Sequence, residues 1–204
     1  MQLRYSPTSP YVRKVSITAL EAGLADRIEH IKTDPWSPET DLVKSNPIGK
    51  VPCLVTDDGT ALYDSPVICE YLDSLNAGAK LFPADSDARF KALTLAAAGD
   101  GMTDAGILYL IETVRRPAEL RWDWWIERQK AAMERCMDVA DAAADSMGST
   151  GAITIAEIAI VSGLGWIDLR FPDFGWRTSR PALADWYDKI SDRPSVAATV
   201  PKPA

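Results

Sequence analysis

The chain has 204 residues and a formal net charge of −7, with 29 acidic against 22 basic side chains. This balance argues against a nucleic-acid surface, which needs clustered Lys and Arg, and no apolar run approaches the length of a membrane span. The three cysteines form no CxxC pair and His30 is the single histidine, so we expect neither a disulfide framework nor a metal site.

In chain order, the first part of the sequence alternates between strand and helix patterns. The chain enters a strand almost at once and shows no apolar signal-peptide core, so we expect a cytoplasmic protein with reduced thiols. We expect strands at residues 3–5, 28–31, 53–55 and 61–63, and helices after Ser9, at 39–44 and after Ser65. The order β-α-β-α-β-β-α predicts a mixed sheet with helices on its faces.

Two of these helices begin with the same dipeptide, Ser9-Pro10 and Ser65-Pro66. A Ser before a Pro is typical of an N-cap followed by the first helical residue, because the hydroxyl satisfies a free backbone N–H and Pro has none to lose. The start of a helix also favours an anion. A fold that brings both starts together could hold a ligand with two negative groups, such as a thiolate at Ser9 and a carboxylate at Ser65.

After residue 83 the strand patterns fade and helical patterns take over. Alanine-rich stretches at about 89–115 and 120–147 predict two long helices. Thr154 and Glu157 then fit a capping box, and Ile153 with Ile158 fits a hydrophobic staple. The apolar helix that follows, expected at about 159–169, should be buried. Shorter helices are expected after the dipeptides Arg180-Pro181 and Arg193-Pro194.

Four segments, taken together, resemble the cytosolic glutathione transferase family over nearly the whole chain. They are residues 9–14 (Ser-Pro-Tyr-Val-Arg-Lys), residues 46–52 (Asn-Pro-Ile-Gly-Lys-Val-Pro), Asp64-Ser65 and the Thr154 capping box. The chain is most similar to bacterial members and to the classes that use a serine. The resemblance implies an α/β plus all-α fold, with an N-terminal thioredoxin-like domain at residues 1–77 and a C-terminal helical bundle at residues 84–204.

The resemblance also implies roles for residues near the first helix start. Ser9 matches the position that interacts with the glutathione sulfur, where a hydroxyl can donate a hydrogen bond to a thiolate. The bond between Val51 and Pro52 is cis in this family, and it turns the Val51 backbone toward the cysteinyl part of glutathione. Lys50 can reach the glycyl carboxylate, but an ordinary solvated lysine explains the sequence equally well.

Asp64 and Ser65 match the positions that hold the γ-glutamyl group of glutathione. The Ser65 hydroxyl and backbone N–H would bind its carboxylate, and Asp64 would help to balance its ammonium. From the residues alone, Ser9 and Ser65 are also explained as helix caps, and Asp64 as a favourable acid before a helix.

Other polar and aromatic side chains have ordinary structural explanations. Asp100 and Asp104 fall on the first long helix, where a solvated or capping role is expected. Trp122, Trp124 and Trp125 cannot share one face of a helix, and core packing is the simpler interpretation. Some of these tryptophans could instead line the interface between the domains or an electrophile pocket. Other aromatic side chains that could line that pocket are Tyr11, Tyr109, Trp166 and Phe171.

The resemblance implies a glutathione transferase that conjugates the thiolate of its co-substrate, glutathione, to small hydrophobic electrophiles. It implies a homodimer and a role in detoxification. Two alternatives stay open: a non-catalytic interaction protein of the same fold, and a glutathione-dependent isomerase or peroxidase that uses the same site. The complete set of Ser9, Val51-Pro52 and Asp64-Ser65 favours an enzyme over the interaction protein.

Overall fold

The computed structural model describes residues 1–202, so the last two residues of the predicted second domain, 84–204, lie outside the described residues. The strands are β1 (Gln2–Tyr5), β2 (Glu29–Lys32), β3 (Cys53–Val55) and β4 (Ala61–Leu62). The helices are α1 (Pro10–Glu21), α2 (Ser65–Ser74), α3 (Ser86–Leu110), α4 (Asp123–Ala143), α5 (Ile155–Arg170), α6 (Trp176–Ser179), α7 (Pro181–Ser191) and α8 (Pro194–Ala197). A π-helical turn, Ile111–Arg115, continues α3.

The four strands form one mixed sheet in the order β2-β1-β3-β4. β1 pairs in parallel with β2 and antiparallel with β3, so that Leu3 lies between His30 and Leu54. Helices α1 and α2 pack together against this sheet, and their apolar side chains bury Leu3 and Leu54 completely. A small mixed sheet with helices, followed by a helical half, confirms the predicted fold class.

The parallel pairing of β1 and β2 decides where the chain can build a site. The carboxyl ends of both strands, Tyr5 and Lys32, meet at the same edge of the sheet. The loop before α1 and the loop after β2 therefore also lie at that edge. This is the edge from which open α/β sheets present functional loops.

Three predictions about local elements differ from the structure. The helix expected at 39–44 is only a 3-10 turn at Leu42–Lys44, in a segment where the Thr40 hydroxyl accepts a hydrogen bond from the Leu42 N–H. The buried helix α5 begins at Ile155 rather than near 159, because Thr154 is its N-cap. The tryptophans at the start of α4 are not core residues, as described next.

Trp122 and Trp124 are more than half exposed, and their rings contact each other at a tilt of 32°, with a centroid distance of 4.9 Å. The expectation that they point apart was wrong because Trp122 is the N-cap residue of α4 and has an extended backbone. The i, i+2 rule applies only within a helix. Trp125 completes this stacked cluster, at 6.3 Å from Trp122.

The helical half is built around α5, in which every residue from Ile155 to Ile167 is buried. Glycines let the helix α3 approach it closely. A Cβ on Gly99 would lie 2.9 Å from the backbone of Ala159, and a Cβ on Gly163 would lie 2.7 Å from the Thr103 hydroxyl. Contacts this short leave no room for any larger residue without a shift of one helix.

The start of α5 has the predicted capping box. The Thr154 hydroxyl accepts a hydrogen bond from the Ala156 N–H, and the Glu157 carboxylate accepts one from the Thr154 N–H at 2.8 Å. Glu157 also accepts a hydrogen bond from the Gly148 N–H at 3.0 Å, and so joins the preceding loop to the helix. Ile153 and Ile158 are both buried in the main core.

Replacing the capping hydroxyl should weaken the fold by a predictable amount. We expect Thr154→Ala to lower the free energy of unfolding by about 1 kcal/mol, because the N-cap bond to α5 is lost. For a chain of this length the melting temperature should fall by about 2–4 °C. Thermal unfolding followed by circular dichroism measures the change. Thr150→Ala, in the exposed loop before α5, is the control and should melt like the wild type.

Candidate functional site

The first component of the site is the start of α1. Ser9 has an extended backbone, and its hydroxyl oxygen accepts a hydrogen bond from the Val12 N–H at 3.3 Å, so it is the N-cap that the sequence predicts. A hydroxyl has one donor hydrogen and two lone pairs. The cap uses a lone pair and leaves the Ser9 hydrogen able to donate to a ligand.

The second component is the loop that leads into β3. The Val51–Pro52 peptide bond has the cis geometry that the resemblance implied. Val51 is 7% exposed, and within residues 1–202 its backbone N–H has no hydrogen-bond partner. The Lys50 side chain lies in the exposed part of the same loop. An unpaired backbone group at the end of a strand can pair with an extended ligand.

Asn46 shapes this loop and was missed as a site residue by the sequence reasoning. Its side chain is 1% exposed, donates to the Lys50 carbonyl at 2.7 Å and accepts from the Ile48 N–H at 3.0 Å. These two bonds fix the backbone immediately before Val51. The Asn-Pro pair at this point was a visible turn signal, but a turn signal does not show where a side chain is bound.

The third component, the start of α2, differs from the prediction. Ser65 is the first helical residue and not the N-cap, which is Asp64, and no side-chain hydrogen bond caps this helix. Ser65 is 2% exposed, whereas Asp64 is exposed. The first N–H groups of a helix have no partner within the helix. Without a side-chain cap, the N–H groups at the start of α2 remain available to an anion.

An apolar cluster brings these three components together. Val12 of α1, Val51 of the loop and Cys53 of β3 are buried against one another, and Tyr63, next to Asp64, packs on the same cluster. The two helix starts therefore lie on either side of the Val51–Pro52 loop. This is the arrangement in which one ligand can contact all three.

Two acidic residues of α3, expected to be solvated, instead hold α1 against the helical half. The Lys14 side chain is 2% exposed and its Nζ lies 2.7 and 2.8 Å from the two carboxylate oxygens of Asp100. One turn earlier on α1, the Tyr11 hydroxyl donates a hydrogen bond to the Asp104 carboxylate. Burial raises the pKa of Asp100, and Lys14 opposes that rise. Burial and the hydrogen bond to Asp104 raise the pKa of Tyr11.

Arg13 attaches the same helix to α5 and is also buried. Its guanidinium donates to the Val161 carbonyl at 2.9 Å and passes Gly165, where a Cβ would lie only 2.1 Å from Nη1. Burial lowers the pKa of Arg13, and the neighbouring Tyr187 opposes that change. Gly165 is therefore glycine because the arginine side chain fills the space that a methyl group would need.

The contacts between α1 and α3 set the direction in which α3 passes Ser9. Since Lys14 meets Asp100 and Tyr11 meets Asp104, α3 runs antiparallel to α1 and continues past Ser9. Leu108 and Ile111 follow Asp104 on the same helical face. The interdomain cleft, as we use the term, lies between Ser9 and this apolar stretch of α3.

The expected pocket aromatics are not all available to this cleft. Trp166 is 3% exposed, and Tyr109 and Trp166 each make an edge-to-face contact with Phe171, with ring centroids 5.2 and 5.8 Å apart. These three side chains form an aromatic cluster of the helical half. Tyr11 is half-buried beside Asp104, at the base of the interdomain cleft.

In residues 1–202 no three His, Cys, Asp or Glu side chains come together as a possible metal site. None of the helices there is both long enough and apolar enough to cross a bilayer.

Comparison with family models and with known proteins gives a consistent result. The model described as "Glutathione S-transferase, N-terminal domain" matches residues 8–75, and the model "Glutathione S-transferase, C-terminal domain" matches residues 125–189. The chain is 34% identical over 205 residues to the uncharacterized GST-like protein YibF of Escherichia coli K12, with all of both chains covered.

Solved structures of bacterial proteins are similar over the whole chain. A glutathione transferase family member from Pseudomonas fluorescens Pf-5 with bound glutathione is 40% identical, covers 99% of both chains and has a TM-score of 0.92. The same description from the same strain, with bound S-(propanoic acid)-glutathione, covers 100% of both chains at a TM-score of 0.90. A glutathione S-transferase from Methylobacillus flagellatus KT with glutathione bound is 34% identical, covers 98% of this chain and 99% of its own, and has a TM-score of 0.92.

When Lys14 is removed, the unpaired Asp100 should make the free energy of unfolding depend on pH. In Lys14→Met the mostly buried Asp100 carboxylate loses its cation, and we expect unfolding to require about 1–3 kcal/mol less than in the wild type at pH 8. Without Lys14 the folded-state pKa of Asp100 rises further above the unfolded value, so the folded state binds the extra proton and the deficit grows as pH rises through that pKa. Urea unfolding of both proteins between about pH 5 and pH 8 measures this difference in the free energy of unfolding.

Lys91→Met, on the exposed side of α3, is the matched control and should show no comparable pH trend. A Lys14→Met deficit that is equal at both ends of the pH range would contradict the assigned role of Asp100.

Proposed function

The chain belongs to the glutathione S-transferase family, and from this premise we propose that it conjugates the thiolate of glutathione to small hydrophobic electrophiles. The observation that carries the proposal is the capped start of α1, where the Ser9 hydroxyl keeps its hydrogen free beside the Val51–Pro52 loop. Glutathione bound to a Pseudomonas fluorescens relative of 40% identity supports the same co-substrate here.

In this proposal glutathione lies across the three components of the site. The unpaired Val51 backbone would pair with the cysteinyl residue, as an added strand pairs with a sheet edge. The γ-glutamyl carboxylate would bind the Ser65 hydroxyl and the free N–H groups at the start of α2, with Asp64 near the ammonium. Lys50, exposed in the loop, would face the glycyl carboxylate. The sulfur would then lie at Ser9.

The free energies of the interactions available at Ser9 limit how much this residue can contribute to the reaction rate. A thiol of pKa about 8.5 is only a few per cent ionised at pH 7, and lowering that pKa by about two units requires about 2.7 kcal/mol. A charge-assisted hydrogen bond of about 1.5–3 kcal/mol and a helix dipole of about 0.3–1 kcal/mol can supply this. Because the nucleophilicity of a thiolate falls as the pKa of its thiol falls, the net gain in reaction rate at neutral pH is only a few-fold. Most of the rate must come from holding the electrophile beside the sulfur.

The electrophile would occupy the interdomain cleft. Its wall is apolar at Leu108 and Ile111, which suits a hydrophobic substrate. The S-(propanoic acid)-glutathione bound by a relative is a glutathione whose sulfur already carries a second group, which supports space for one beside the sulfur. A glutathione-dependent isomerase or peroxidase would use the same residues, and a panel of electrophiles and hydroperoxides separates these activities.

The remaining parts of the proposal concern assembly and location. We propose a homodimer formed through α3 and the edge of the N-terminal half, where Val67 and Phe90 are exposed at 47% and 65%. We propose that residues 1–77 form the thioredoxin-like domain and residues 84–204 the helical domain. A cytoplasmic location is supported by the three cysteines, which are all free thiols.

The first test concerns Ser9. Ser9→Ala removes a donor that favours the thiolate, so the pKa of bound glutathione should rise and the conjugation rate should fall more at pH 6.5 than at pH 9. At pH 6.5, where much of the bound thiol is still protonated, glutathione affinity should change by less than about threefold, because the γ-glutamyl and backbone contacts remain. Conjugation rate against pH and calorimetry measure the two effects.

Thr8→Ala, which removes the neighbouring hydroxyl, is the control and should keep the wild-type pH profile. Equal rates for the wild type and Ser9→Ala at every pH would remove Ser9 from the mechanism. A wild type that binds glutathione and conjugates no electrophile would instead favour the non-catalytic interaction protein.

The second test concerns Ser65. Because no side-chain hydrogen bond caps α2, Ser65→Ala should lower the free energy of unfolding by less than about 1 kcal/mol, the typical cost of losing a cap. It should weaken glutathione binding by about 1.5–3 kcal/mol, since a hydrogen bond to a carboxylate is lost. Calorimetry measures the affinity, and Ser74→Ala at the exposed end of α2 is the control. Wild-type affinity in Ser65→Ala would exclude the assigned role.

A further inference from the structure

Arg115 is a cation that has no acidic partner and lies at the end of the helix that passes Ser9. Within residues 1–202 it forms no ion pair, whereas the adjacent Arg116 is 2.9 Å from the Glu112 carboxylate. Instead, the Arg115 guanidinium lies over the ring of Trp36, 4.2 Å from its centroid. Trp36 is 60% exposed and belongs to the loop after β2. In a chain of net charge −7, an unpaired guanidinium on an aromatic ring is a ready anion site.

The position of this pair follows from the helical geometry of α3. Asp100, Asp104, Leu108 and Ile111 recur at spacings of three and four residues, so they lie along one face of α3 as it enters the π-helical turn. The first two meet α1, and the next two form the wall of the interdomain cleft. Arg115 is the last residue of that π-helical turn, and its contact with Trp36 places its guanidinium at the far end of the cleft.

Trp36 reaches this end from the opposite side. The loop after β2 lies at the same sheet edge as the loop before α1, which carries Ser9. The contact between Trp36 and Arg115 thus joins the N-terminal half to the end of α3 across the interdomain cleft. A substrate between Ser9 and this contact meets an apolar wall first and a cation second.

The distance along α3 sets the size of that substrate. Arg115 is three turns beyond Asp104, about 16 Å along the helix axis. The Arg115 guanidinium lies on Trp36, on the side of the helix that faces the N-terminal half, and the glutathione sulfur would occupy the space next to Ser9. The gap that remains between sulfur and guanidinium is about the length of one substituted aromatic ring.

We propose that Arg115, held on Trp36, binds a carboxylate of the electrophile, so that the preferred substrates are ring-sized electrophiles with a carboxylate opposite the reacting carbon. This inference rests on the proposed function. A matching reaction is the attack of the glutathione thiolate on the benzylic carbon of 4-(chloromethyl)benzoate. The C–S bond forms, the C–Cl bond breaks, and chloride leaves with the bonding electron pair. The thiol proton goes to solvent when the thiolate forms.

The primary test measures binding of the two finished conjugates, so that it does not depend on catalysis. We expect calorimetry to show that S-(4-carboxybenzyl)glutathione binds at least tenfold more tightly than S-(4-carbamoylbenzyl)glutathione, which has the same shape without the charge. Arg115→Gln should bring this ratio to within threefold of unity by weakening only the anionic conjugate, and Arg115→Lys should retain part of it.

Arg128→Gln is the matched control, because Arg128 also lies over an exposed tryptophan, 5.6 Å from the ring centroid of Trp124, but on α4. It should keep the wild-type ratio. A wild-type ratio near unity, or a ratio that survives Arg115→Gln, would overturn the inference.

Kinetics with 4-(chloromethyl)benzoate and 4-(chloromethyl)benzamide then separate this inference from the proposed function. The same preference should appear in kcat/KM and disappear in Arg115→Gln, with the rate on the amide unchanged. Conjugation of both substrates without a preference contradicts the role proposed for Arg115 and leaves the transferase function supported. Absence of conjugation with a retained binding ratio contradicts the transferase and leaves the anion site supported.

Discussion

The attachment of α1 is the constraint on which the rest of the structure depends. This helix packs on the sheet, carries Ser9 at its start and sends Tyr11, Arg13 and Lys14 into the helical half. A shift of α1 would therefore move the Ser9 hydroxyl and the interdomain cleft together. The two halves of the molecule are joined through the same short segment that forms one side of the site.

Burying cations between the two halves is costly, and Lys14 and Arg13 have different kinds of hydrogen-bond partner. Lys14 has a carboxylate with both oxygens in range, so its charge is paired. Arg13 donates to the Val161 carbonyl instead, in a space left by Gly165. Buried polar contacts of this kind contribute less to stability than apolar packing of equal volume, but they tolerate few alternative arrangements. Their value here is that they define the orientation of α1.

The same physical reasoning explains why one face of α3 changes character along its length. Where it meets α1, its acids at 100 and 104 pair with Lys14 and Tyr11. Beyond Ser9 the face becomes apolar at Leu108. At its end the loop after β2 supplies Trp36, and a cation can rest on an aromatic ring. Each section of the face matches what lies opposite it.

Features that depend on close neighbours in the chain could be predicted from the amino-acid residues alone. The Ser9 cap and the Thr154 capping box were readable because a cap involves residues two or three positions apart. The order of strands and helices, and so the fold class, followed from local periodicity. The family resemblance then pointed to the Val51–Pro52 loop.

Tertiary structure alone decided which distant groups meet. Lys14 and Asp100 are 86 positions apart, and no spacing rule connects them, so Asp100 looked like an ordinary solvated acid. Ser65 matched a cap pattern, but the start of α2 moved one residue earlier and left the helix uncapped. Trp36 and Arg115 belong to different halves of the molecule. Such contacts depend on how the packed helices are positioned in space. The residue type shows which kind of partner would be favourable, but not which residue of the chain that partner is.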